Sequence, residues 1–92
     1  VKAQIVLARV ADESRERYLA AWTEWTGTLF AMGVRAQLLE ATERRGDFTE
    51  ITWFEEGREA ALADDRVVHA AGALEAAADE RAGALRLHAM VS

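Results

Sequence analysis

The chain has 92 residues, a net charge of −5 and no cysteine. That length makes one domain, residues 1–92, with a thin core that buries only roughly 60–65% of the unfolded surface. The missing cysteines exclude disulfides and thiolate metal sites, and an acidic chain with no basic run offers nucleic acid no electrostatic footprint.

The longest uncharged run, residues 25–34, is too short to cross a bilayer, which needs about 20 apolar residues. The chain opens at Val1 without a basic, apolar leader. The expectation is a cytoplasmic protein with neither membrane nor nucleic acid as partner.

Residues 3–10 are mostly apolar and read as a strand buried on both faces, central in its sheet. Asp12 is placed to cap a helix running to about Met32, with Glu13 in its first turn. Tyr18, Trp22, Trp25, Leu29 and Met32 recur at three- and four-residue steps and form one stripe, widened by Leu19 and Phe30. Gly33 stands where a left-handed cap ends such a helix.

Residues 34–41 and 48–54 read as the arms of a hairpin, the second rich in β-branched and aromatic residues. Gly46 sits in the turn between them, where a positive φ is often required. A short helix follows over residues 58–63, then a cap at Asp64 or Asp65 and a longer helix over residues 66–81. Val67, Ala71, Leu74 and Ala78 form its narrow stripe, and Gly83 is expected to cap it. Residues 84–91 alternate as a last strand.

The order β-α-β-β-α-β predicts an α+β, ferredoxin-like fold: a four-stranded antiparallel sheet with both helices on one face. In the last strand Leu85, Leu87, Ala89 and Val91 are assigned to the helix side, and Arg86, His88 and Met90 to the open side. The hairpin is expected to add Leu39, Gln37, Arg35, Phe54, Thr52 and Glu50 to that open face, and the first strand Val6 and Gln4. A mixed face of this size predicts a homodimer with two sheets laid face to face.

The element order, the broken second helix and the run Glu50-Ile51-Thr52-Trp53-Phe54-Glu55 leading into Arg58-Glu59-Ala60-Ala61-Leu62 resemble the dimeric α+β barrel superfamily. Within it the chain is similar to the antibiotic biosynthesis monooxygenase-like group. The resemblance implies a small homodimer with a ligand cavity between sheet and helices. It also implies cofactor-independent oxidation of a planar aromatic or polyketide-like molecule. The quinone-forming and haem-opening members resemble each other in using an asparagine, and this chain has none. The haem-opening members also carry a helical tryptophan after the third strand, whereas residues 60–63 hold no aromatic. Haem opening is therefore not expected.

Two readings of the site residues stay open. In the first, Tyr18, Trp22, Trp25, Trp53 and Phe54 line an aromatic pocket between the first helix and the sheet. Arg86 is a ligand contact there, and His88 or His69 is the proton acceptor, with no bound cofactor and no metal. In the second, the aromatics are plain core, Arg35, Glu50 and Arg86 form an ion-pair network, and the protein is a non-catalytic structural or regulatory dimer. No Gly-rich phosphate loop, Ser-His-Asp order or HExxH motif is present. A cavity beside Trp22 and Trp25 discriminates the two.

Overall fold

A computed structural model describes residues 1–55, 57–83 and 87–89. The elements are β1 (Lys2–Arg9), α1 (Arg15–Phe30), β2 (Arg35–Glu40), β3 (Asp47–Phe54), α2 (Asp65–Ala77), β4 (Glu80–Ala82) and β5 (Leu87–Ala89), with 3-10 turns at Asp12–Ser14 and Arg58–Ala63. The strands form one antiparallel sheet in the order β2-β3-β1-β4, and β5 also pairs with β1. This is the expected α+β architecture with β1 central. The last strand arrives in two pieces along β1, and what was expected of Leu85, Arg86, Met90 and Val91 lies outside the described residues. Among the described residues no helix is long and apolar enough to cross a membrane.

Strand alternation decides what the helices cover. Val6, Ala8 and Val10 of the first strand and its exit, and Phe48 and Phe54 of β3, are buried against α1 and α2. On α1 the buried stripe runs through Tyr18, Ala21, Trp25 and Leu29, with Trp22 only half-buried beside it. Phe30 does not widen that stripe. It lies one residue, hence about 100°, past Leu29 and is 77% exposed. On α2 the buried stripe is Val67, Ala70, Leu74 and Ala77; Ala71 and Ala78 only pack at its margin.

The caps fall partly as expected. The Asp64 carboxylate accepts from the Arg66 amide (2.9 Å) and caps α2. The Val34 amide donates to the Leu29 carbonyl across Gly33, which closes α1. Asp12 makes no cap bond; its carboxylate takes the Arg45 guanidinium instead (2.9 Å). The start of α1 is tied down by Arg15, whose two terminal nitrogens donate to Glu40 at 2.6 and 2.7 Å. Hydrogen bonds from Arg15 and the Gly46 amide hold the Glu40 carboxyl down at about 2.

Three expectations are corrected. The second helix stops at Ala77 rather than residue 81, because Asp79 leaves it to donate its amide to the Arg9 carbonyl (2.8 Å) and to accept from the Ala11 amide (3.1 Å). Glu80, Arg81 and Ala82 are strand, so Gly83 caps no helix. Gly83 instead has φ 98° beside β1, where a Cβ would meet the Ile5 carbonyl oxygen at 2.5 Å. Finally, Phe54, Thr52, Glu50, Val6 and Gln4 face the helices, not the open side. Arg35 pairs with Trp53 and Gln37 with Ile51, so the residues sharing a face with Arg35 are one position away from those expected.

The Gly83 geometry carries a prediction. Gly83→Ala combines a disfavoured positive φ with a backbone clash that no rotamer relieves. Urea denaturation should show a loss of about 1–3 kcal/mol. A variant as stable as the parent contradicts the close approach of Gly83 to β1.

Candidate functional site

The interior between helices and sheet contains a polar chain that the sequence does not announce. Glu50 is 1% exposed on β3. The Tyr18 hydroxyl, from α1, donates to its Oε2 at 2.6 Å. The Arg81 guanidinium, from β4, donates to Oε1 at 2.6 Å and Oε2 at 3.2 Å. Arg81 also donates to Glu75 of α2 at 2.7 Å, on the solvent side. One carboxylate therefore joins α1, β3 and β4, and its arginine reaches α2. Burial, then the hydrogen bond to Glu50, pushes the Tyr18 phenol far above its ordinary value, so the phenol stays a donor. The ring of Tyr18 leans on Phe48, centroids 4.9 Å apart.

Farther along α1, Trp22 and Trp25 lie with ring centroids 5.3 Å apart. Trp25 is 2% exposed, and its Nε1–H is buried without a hydrogen-bond partner among the described residues. A buried, unmade donor costs about 1–3 kcal/mol, which sets Trp25 apart from ordinary core. The helix-facing side of the sheet also carries two buried polar residues directly opposite one another, Gln4 and Thr52.

Of the residues proposed from sequence, Tyr18, Trp22, Trp25 and Phe54 belong to the helix-side interior or its margin. Trp53 does not join them. It lies on the open face, opposite Arg35 on one side and Ala3 on the other, and His88 follows beyond Ala3. His69 is exposed on α2, off its buried stripe. Arg86 is outside the described residues. The network of Arg35, Glu50 and Arg86 is not formed as expected, because Arg35 and Glu50 project from opposite faces of the sheet; Arg81 takes the partnership with Glu50. Neither the concavity at Gly33, Arg35, Gln37 and Trp53 nor the one at Thr23, Thr26, Phe30 and Val34 has Tyr18, Trp22 or Trp25 in its lining. Among the described residues no group of three or more His, Asp or Glu could hold a metal ion.

Sequence reasoning missed Arg81 because the alanine-rich stretch before it has high helix propensity and extends the helical reading past its true end. The signal that could have found it is Asp79-Glu80-Arg81-Ala82, four residues in which acid and base interrupt the alanines. It missed the role of Glu50 through the face assignment alone.

No known family model matches the chain, and no curated protein does. Solved structures match it throughout. An antibiotic biosynthesis monooxygenase candidate from Nitrosomonas europaea superposes with a TM-score of 0.80 at 13% identity, covering 100% of both chains. An asparagine-to-alanine variant of SnoaB, a cofactor-independent oxygenase from Streptomyces nogalater, gives 0.79 at 18% identity, covering 99% of this chain and 93% of that one. A conserved protein of unknown function from Bacteroides thetaiotaomicron gives 0.73 at 23% identity, over 95% and 92%. The chain therefore shares the ferredoxin-like α+β fold of these solved structures.

The buried clamp predicts a specific pattern of stabilities. Arg81→Met leaves the Glu50 carboxylate buried without its cation, at a cost of about 3–5 kcal/mol. Adding Glu50→Gln removes that stranded charge and keeps an acceptor for Tyr18, so the double variant should recover part of the loss. Urea denaturation of the three proteins measures it; a double variant no more stable than Arg81→Met alone rules the clamp out as the cause.

Proposed function

We propose that this protein is a homodimeric, small-molecule-binding oxygenase of the cofactor-independent kind, acting on a planar aromatic substrate held between α1 and the sheet. The carrying observation is the Trp25 indole N–H, buried with no partner among the described residues, in an interior where Tyr18, Glu50 and Arg81 are paired. SnoaB supports the reading as a cofactor-independent oxygenase of the same fold, in which an asparagine was chosen for replacement. This chain has no asparagine, so a donor to a substrate oxygen must come from another residue type, and Trp25 Nε1–H supplies one. Trp22 provides the neighbouring aromatic face.

In such a reaction a polyphenol loses a proton, passes an electron to O2 and recombines with it at carbon. Loss of water from the peroxide then leaves a quinone. For a dihydroxynaphthalene, the balance is substrate plus O2 to hydroxynaphthoquinone plus water. The interior proton acceptor in this reading is Glu50, reached through the Tyr18 hydroxyl (2.6 Å). His88 and His69, the proton acceptors named from the sequence, are both exposed.

A second reading has its own observation. Trp25 is 2% exposed and packs in one core cluster with Leu29, Val34 and Phe54, which favours a non-catalytic dimer with solid packing. Trp25→Phe separates the two. It removes the orphan donor, a gain, and leaves a small void, a loss; these offset, so stability should shift by less than about 2 kcal/mol. Under the oxygenase reading, affinity for the naphthol falls about tenfold, the worth of one hydrogen bond near 1.4 kcal/mol, and quinone formation with O2 uptake falls with it. A wild-type protein that neither binds the naphthol nor consumes O2 leaves only the non-catalytic dimer.

The dimer rests on the open face. Ala82, Leu7, Thr49 and Leu39 lie in one row across the strands, Ile5, Ile51 and Gln37 in the next, and Ala3 and Trp53 in the third. Leu7 is 59% and Leu39 46% exposed in the single chain. Monomers seldom leave a continuous apolar patch above about 300–600 Å² uncovered. A second copy in the cytoplasm would cover it. Sedimentation at micromolar concentration should give a dimer for the wild type and a folded monomer for Leu7→Asp. A wild-type monomer removes the argument.

A further inference from the structure

The sheet has an open edge at β2. Among the described residues β2 pairs only with β3, in unbroken register. No proline or bulge blunts this edge, and its only charges, Arg35 and Glu40, stand at its two ends. The Ala41 amide donates to the Asp47 carbonyl across the hairpin (2.9 Å). Bonded pairs recur at every second residue of an antiparallel ladder, so Leu39, Gln37 and Arg35 spend their backbone groups on β3. The N–H and C=O groups of Ala36, Leu38 and Glu40 therefore point away from the sheet.

Beside this edge α1 has an uncharged side. Leu19, Thr23, Thr26 and Phe30 recur at four-, three- and four-residue steps and share it. Phe30 is 77% exposed there. The Thr23 and Thr26 hydroxyls donate to carbonyls of their own helix, those of Leu19 (3.0 Å) and Thr23 (3.1 Å). Past its first turn α1 carries one charge, Glu24, and it lies about 130° round the helix from the middle of that side. Thr23, Thr26, Gly27 and Phe30 face Val34 and Ala36 across a concavity of about 500 Å³. An uncharged helix side with an exposed aromatic, set beside a row of unpaired backbone groups, is the form of a surface that receives another strand.

We propose that β2 pairs edge to edge with β2 of a second copy, antiparallel about a two-fold axis at Gln37. That register sets Ala36 opposite the partner's Leu38 and Leu38 opposite the partner's Ala36. Each of these two pairs exchanges two backbone hydrogen bonds between groups that otherwise face water. Leu38 lies on the helix side of its strand, so it enters the partner's concavity. A register centred on Leu38 would set Glu40 there instead, and the Glu40 carboxylate already holds Arg15 (2.6 and 2.7 Å) and the Gly46 amide (2.9 Å). In the Gln37 register no like charges meet, since Arg35 falls opposite the partner's Leu39. The contact goes beyond the oxygenase reading and does not rest on it. It uses the rim of the sheet and leaves both faces free, so face-to-face dimers join through it into larger assemblies. The contact is small, so it forms at higher concentration than the face-to-face dimer.

The test is sedimentation of the wild type and Ala36→Pro from about 10 μM to about 1 mM, with amide hydrogen exchange at both ends of that range. Because the Ala36 N–H points away from β3, proline there removes no bond within the chain. Unchanged exchange of the Gln37 amide verifies that the hairpin persists. The wild type should gain mass as concentration rises, and its Leu38 amide should exchange about tenfold more slowly at the upper end. Ala36→Pro should lose both effects. Phe30→Lys, at an exposed position, should weaken the association about tenfold with the fold intact, and it decides the matter if the proline variant unfolds. A wild-type mass that does not rise with concentration overturns the proposal. So does association that survives Ala36→Pro and Phe30→Lys but is lost in Leu7→Asp, which would leave the open face as the sole contact.

Discussion

The structure depends on a single charge taken out of water. Glu50 sits on the central part of β3 facing the helices, in a protein too small to hide an ion without consequence. Burial is tolerable only because Tyr18 and Arg81 arrive from two other elements and occupy both of its oxygens. That requirement fixes the rotation of α1, since Tyr18 must point at β3. It also fixes the register of β4, since Arg81 and not Glu80 or Ala82 must face inward. Apolar packing alone would leave α1 freer to turn, because Ala21, Trp25 and Leu29 form a stripe with small and large members that several rotations could bury.

The order of elements was legible because each carries its own period: helical spacing in residues 18–29, β-branched and aromatic residues in residues 48–54, a capping acid at Asp64. The faces of the hairpin were not. An antiparallel register that pairs Arg35 with Trp53 differs by one position from one that pairs it with Phe54, and nothing local separates the two. Both candidate faces of β3 carry an aromatic, a threonine or isoleucine, and a polar residue. The usual sign, a charge on the wet side, misleads here because Glu50 is the charge that goes in. A buried ion pair is a long-range agreement between Tyr18, Glu50 and Arg81, separated by 32 and 31 positions in the chain, and local pattern does not say which of the charges pair.

The same parity decides where chemistry can occur. Trp53 and Phe54 are neighbours in sequence, yet a strand sends them to opposite sides. An aromatic cluster that looked continuous from Tyr18 to Trp53 is therefore two environments divided by the sheet. One is closed, buried and organised by hydrogen bonds around Glu50. The other is open, with its row of His88, Ala3, Trp53 and Arg35 running across four strands. No single ligand spans them, since the sheet itself lies between.

That division also separates what each tryptophan can contribute. Trp25 brings a donor that has no partner, in a place where desolvation makes an unmade hydrogen bond expensive. Trp53 brings mainly a flat face, half-buried, with Arg35 directly opposite it on β2. A donor in a dry interior discriminates by the position of one oxygen atom. A face beside a guanidinium discriminates by shape and charge. The proposed oxygenase chemistry needs the first kind of discrimination, because it depends on where a phenol oxygen and its neighbouring carbon are held. The helix side of the sheet is for that reason the place to look for a reaction, and the open side the place to look for a second copy of the chain.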